Sequence, residues 1–216
     1  MEHTGSSRRE RHLERWRWTG NTVVQETTPL ENYILDPDTL NSAENHLNMQ
    51  TWQGIVLMLG NEDGTNRNMP EPRTIAFLCS TLKSASDFII VGEHNSDGIL
   101  HYHIMIKTLQ RSDALKNSIE RKWHLVQHVA LDDIEDPNPT IEVLKSQKAH
   151  RPASLLAYIC KDPLFVCAFK EQTLAMASSV WFYNKGSRFI EKEKEKKARK
   201  QALSLDVIQH GHSITK

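Results

Sequence analysis

Residues 86–107 read SDFIIVGEHNSDGILHYHIMIK, two runs of strand formers around a cluster of turn formers, and this segment restricts the fold more than any other. The pattern specifies a β-hairpin. Side chains alternate along a strand, so Tyr102, Ile104 and Ile106 make an apolar face while His101, His103 and Met105 share the opposite one. Loop length then decides what meets the histidines. With a loop of Ser96, Asp97 and Gly98, the glycine taking the left-handed position, Asn95 pairs with Ile99 and Glu93 lies opposite His101. With one residue more, Glu93 turns to the apolar face, because a single-residue slip reverses every side chain.

The rest of the chain supports one α+β domain. TWQGIVLMLG, from Thr51, reads as a strand, and NEDGTNRNMPEP after it as a loop. A helix follows, with Ile75, Leu78, Leu82 and Ala85 at helical spacing and Pro72 in its first turn. Beyond the hairpin, Ser112 is a candidate N-cap for a helix carrying Leu115, Ile119, Trp123 and Val126 on one stripe. PTIEVLK is a short strand, RPASLLAYICKD a helix, and TLAMASSVWFYNKG fits either type. The order suggests a two-layer α+β sandwich with an antiparallel sheet. Residues 1–50 read as a partly irregular arm, 51–190 as the folded domain, and 191–216 as a charged helical linker or tail.

Composition excludes several classes. No apolar run approaches the roughly 18 residues of a membrane span, and the basic N-terminus has no apolar stretch behind it, so it is no secretory signal. Cys79, Cys160 and Cys167 form no CxxC pair and are odd in number, which argues for reduced thiols. Formal net charge is zero, so global charge points to no polyanion. Its distribution is uneven: Lys145, Lys148, Arg151 and Lys161 follow one another without an acid, just after the acidic ALDDIEDPNPTIE.

Two imidazoles on one strand face can hold one ion, or can be mere polar surface. Glu93, in the three-residue-loop register, adds a carboxylate with Cβ roughly 5 Å from its cross-strand partner. Glu93, His101 and His103 would leave open positions on a Mg2+ or Mn2+ ion for water and substrate oxygens. A candidate nucleophile lies in LLAYICKDP, where Tyr158 and Lys161 share a helix face. A phenol is a poor nucleophile at neutral pH and needs a cation nearby. A buried tyrosine beside a surface lysine is the plain alternative.

Glu93, then HYH (His101 to His103), then a helix bearing YICK (Tyr158 to Lys161) resembles the motif set of the HUH endonucleases, the Rep-type replication initiators. The resemblance covers roughly residues 51–186. HYHIMIK is similar to the corresponding strand of parvoviral large non-structural proteins, whereas the YxxK spacing leans toward the circular single-stranded virus group. The resemblance implies a metal-dependent, site-specific single-stranded DNA nickase whose two- or three-layer HUH sandwich has a central antiparallel sheet of about five strands flanked by helices. Tyr158 would be its nucleophile with Lys161 beside it, and Glu93, His101 and His103 its metal ligands. It would form a 5′-phosphotyrosyl link and release a 3′-hydroxyl for a host polymerase. It also implies a viral replication origin as substrate, host replication machinery as partner, the host nucleus as setting and no membrane. Parvoviral members continue into an ATPase helicase through which they self-associate, and no Walker A loop occurs here, so the chain is expected to be an N-terminal part.

Candidates for gripping DNA are Lys107, Arg111, Lys116, Arg121, Lys122, Lys145, Lys148 and Arg151, with Trp16, Trp18 and the neighbouring arginines able to stack or clamp. Two rival readings use the same residues: a non-catalytic nucleic-acid-binding module, and a metal-dependent hydrolase that forms no covalent product.

Overall fold

The computed structural model describes residues 14–25, 37–61, 63–130, 140–161, 163–178, 188, 191–192 and 194–202. Its elements run β1 (Glu14–Trp18), β2 (Val23–Gln25), α1 (Pro37–Asn48), β3 (Trp52–Gly60), β4 (Asn66–Arg67), α2 (Pro72–Ser80), β5 (Asp87–His94) and β6 (Leu100–Lys107). They continue as α3 (Ser112–Ala130), β7 (Thr140–Lys148), α4 (Pro152–Ile159), β8 (Phe165–Ala168) and α5 (Glu171–Ser178). One sheet of eight strands, ordered β2-β1-β8-β5-β6-β3-β4 with β7 also on β3, unites them. Strands buried on both faces occupy its centre: β5 is buried over all but its last two residues, and β8 throughout.

Apolar residues on the two sheet faces form two cores. Tyr102, Ile104 and Ile106 lie in the first, with Ile75 and Leu78 of α2 and Leu115, Ile119, Trp123 and Val126 of α3. Ile89, Val91 and Met105 lie in the second, with Leu47 of α1, Leu156 and Ile159 of α4 and Leu174 of α5. The result is three layers with helices on both sides. Ile75 and Leu78 and the α3 stripe read from the sequence are therefore buried helix faces, Leu82 and Ala85 lie beyond the end of α2, and the prolines at 72 and 152 stand in first turns, where no N–H is required.

The sheet differs from the expectation of five antiparallel strands, being larger and mixed. Consecutive strands β8, β5, β6, β3 and β7 do pair antiparallel. β1 then joins β8 in parallel, with Trp16 opposite Cys167, and β2 closes a second hairpin on it. Residues 14–18 and 37–48 are thus built into the fold rather than forming an arm: Trp18 and Leu47 are buried in the two cores. Trp18 is buried in the first core and Trp16 is partly buried against it. The segment whose type the sequence left open begins in α5, which covers β8 and β1. The described residues within 191–202 are helical and exposed. Arg8, Arg9 and Arg11, and Asp132, Asp133, Glu135 and Asp136, lie outside the described residues, whereas Arg15 and Arg17 lie in β1, Arg15 buried. Cys79, Cys160 and Cys167 are free and buried, and burial pushes the Cys160 and Cys167 thiols up to about 12. No described helix is long and apolar enough to cross a membrane.

One irregularity matters for the site. Along β7, Ile141 and Val143 point into the first core by simple alternation. A bulge then changes the phase: Leu57 faces Val143 and Val56 faces Lys145, so Leu144 is the extra residue and is 53% exposed. After it, Ser146 turns to the α3 side, donating to Ser112 O at 2.9 Å, and Lys145 and Gln147 turn to the face that carries α4.

Candidate metal centre and nucleophile

The turn between β5 and β6 selects one of the two registers the sequence allowed. Asn95 N–H donates to Ile99 O at 3.0 Å and Gly98 N–H to Asn95 O at 3.1 Å. Gly98 has φ +79°, a left-handed conformation that costs glycine little. Asn95 Oδ1 accepts from Asp97 N–H and Ile99 N–H and braces the loop. The loop is the three residues 96–98, and Glu93 stands opposite His101.

One ligand atom from each of Glu93, His101 and His103 lies within 4.8 Å of the others, a cluster able to hold a metal ion. His101 Nε2 and His103 Nε2 are 3.2 Å apart, and His103 Nε2 is 3.2 Å from Glu93 Oε2. Adjacent donors on a six-coordinate ion with bonds near 2.1 Å are about 3 Å apart, so the donor set fits such a cation. Burial alone would raise the Glu93 pKa. Hydrogen bonds from His103 and Lys161, with the charge of the lysine, outweigh it and hold the carboxyl below its ordinary range. Burial, followed by the neighbouring His103, holds His101 below the usual imidazole value and so favours the neutral, ligating form.

α4 hangs over this patch. The Tyr158 ring meets the His103 ring edge-on, with centroids 6.4 Å apart. Lys161, just beyond the helix and 9% exposed, places Nζ 2.9 Å from each Glu93 oxygen and 4.4 Å from the centre of the Tyr158 ring. Tyr158 is half-buried and lines a cleft with Gly54, Val56, His103, Lys145, Gln147 and Leu155. All five residues singled out for chemistry therefore converge on one face.

The DNA-grip candidates do not converge equally. Lys145 alone of the eight lines the cleft. Lys107 sits at the far end of β6, paired across strands with Asp87. Arg111, Lys116, Arg121 and Lys122 belong to α3 or its entry, behind the sheet; Arg111 pairs with Asp113 and Lys116 with Glu120. Lys148 lines a recess with Arg111 and Ser112 behind the sheet, and Arg151 is exposed at the N-cap position of α4. Sequence reasoning missed Gln147, which follows Lys145 on the same face and was findable from it by period two. It also missed Gly54 and Asn48, which touch α4 from distant parts of the chain and carry no local signal.

Comparison with protein-family models, with curated proteins and with solved structures returned no match.

Proposed function

We propose that the protein is a metal-dependent, site-specific single-stranded DNA nickase of the HUH type, using Tyr158 as nucleophile. The observation that carries this is the convergence of Glu93, His101 and His103 within 4.8 Å of one another beneath a tyrosine borne by a separate helix. A structural role alone gives no reason for two imidazoles, a carboxylate and an ammonium to be gathered, half-buried, around one phenol.

Glu93, His101 and His103 would hold Mg2+ or Mn2+. Such an ion, when bound, supplies Lewis-acid polarisation of a phosphoryl oxygen. Lys145, with Gln147 beside it, would hold the strand along the cleft, the lysine on phosphate and the amide on a neighbouring base or sugar. Tyr158 Oη forms a bond to phosphorus while the bond from phosphorus to O3′ breaks. The electron pair leaves on O3′, which takes up a proton, and the phenol proton is lost. The Lys161 ammonium opposes negative charge developing beside it. The products are a 5′-phosphotyrosyl link and a free 3′-hydroxyl, with no water consumed. A viral origin as substrate, a host polymerase extending from the 3′-hydroxyl and the host nucleus as setting rest on the motif resemblance alone.

Incubation with single-stranded oligonucleotides and Mn2+, followed by a denaturing gel, tests the reading. The expected result is a protein–DNA adduct with the native chain and none with Tyr158→Phe, which still binds the oligonucleotide. Cleavage without an adduct would identify a hydrolase instead, and binding without cleavage a recognition module.

A further inference from the structure

We propose that Asn48 and Gly54 are positioning residues for Tyr158: together they fix where α4 sits over the metal-ligand patch. The inference rests on the nickase reading for its catalytic consequence.

α4 has eight residues, about two turns, and a helix that short takes its place from what it packs on. Its own N-cap residue, Arg151, supplies no side-chain cap. The missing acceptor comes from 105 positions away, where Asn48 Oδ1, at the end of α1, accepts the Ala153 N–H at 3.0 Å. Asn48 is itself held, because Leu47 beside it is 2% exposed in the same core as Leu156 and Ile159. The sheet sets the second point. A Cβ on Gly54 would fall 2.6 Å from Leu155 Cδ2, so the glycine lets α4 rest directly on β3.

These two contacts lead to the site in step. Gly54 pairs with Met105 and Val56 with His103, so two residues along β3, about 7 Å, reach the histidine row. Leu155 and Tyr158 are three apart on α4, about 4.5 Å along its axis, so the leucine that seats on Gly54 and the tyrosine that meets His103 lie on one face. Lowering or lifting the helix at Leu155 moves the phenol relative to His103. The ligands themselves are carried by β5 and β6, not by α1 or β3.

The test separates helix placement from metal binding. Asn48→Ala and Gly54→Val should slow adduct formation about tenfold to a hundredfold at saturating oligonucleotide, the size expected for a misplacement near 1 Å. KM and Mn2+ affinity by calorimetry should stay at native values. Asn48→Asp keeps an acceptor at the helix end and should restore the rate, as should adding Leu155→Ala to Gly54→Val. Bound Mn2+ also broadens the NMR signals of the Tyr158 ring, and that broadening should change in the two slow variants whether or not DNA is cut. Native rates and native broadening in both variants overturn the proposal, and so does a fall in Mn2+ affinity that parallels the fall in rate. If the native chain forms no adduct, the nickase reading fails, and the broadening alone then decides whether these residues place Tyr158.

Discussion

Glu93 is the residue on which the site's electrostatics turn. Its two oxygens receive the Lys161 ammonium at 2.9 Å each and face His103 at 3.2 Å. Glu93→Gln keeps the shape and removes the charge that the buried Lys161 ammonium meets at both oxygens. Stability at neutral pH should fall by roughly 1–3 kcal/mol, the cost of losing hydrogen bonds to a charged group. The sign with pH follows from linkage. A carboxyl whose folded pKa is depressed stabilises the protein above its unfolded pKa and loses that contribution as pH falls through the folded value. The difference between native chain and variant should therefore be full above the ordinary glutamate range and fade below it, as urea titrations at a series of pH values would show. Mn2+ affinity should fall in the same variant, because an amide oxygen carries no charge to offer the ion.

The β5–β6 hairpin is the element that turns sequence into site. Its register was one of two open choices in the sequence, because turn chemistry at residues 95–98 allows loops of different length. The three-dimensional choice is reinforced from the core side, where Gly92 pairs with Tyr102 and leaves room for a neighbour. A Cβ on Gly92 would fall 2.2 Å from the Phe165 ring, which is 7% exposed and packs edge-on against Tyr102 at 5.3 Å. A ring so enclosed cannot step aside. Gly92→Ala should therefore destabilise by about 1–3 kcal/mol, the usual cost of overpacking a core. The readout is a lowered thermal midpoint together with weakened Mn2+ binding, since Glu93 is the next residue along β5.

At the scale of the molecule, local signals were legible and distant pairings were not. The stripe of Leu115, Ile119, Trp123 and Val126 and the two histidines on one face follow from periods of 3.6 and 2, and each reappears in the structure. The boundary at residue 51 did not survive, because β1 meets β8 some 150 residues later in the chain and α1 caps α4, and neither partner is marked nearby. A chain starting at Thr51 should consequently lose Trp18, Leu47 and the Asn48 cap together, and show a lower thermal midpoint than the full chain in circular dichroism. The β7 bulge was illegible for a different reason: Ile141 and Val143 set a rhythm that places Lys145 in the core, and only pairing with β3 reveals the extra beat at Leu144. That solvent-facing leucine is skipped by the ladder, a letter spelled but not read. Excising it would leave Val143 opposite Leu57 and Lys145 opposite Val56 in unbroken alternation, so Lys145 and Gln147 would keep the cleft, whereas flattening the bulge with Leu144 retained would drive the Lys145 ammonium toward oil.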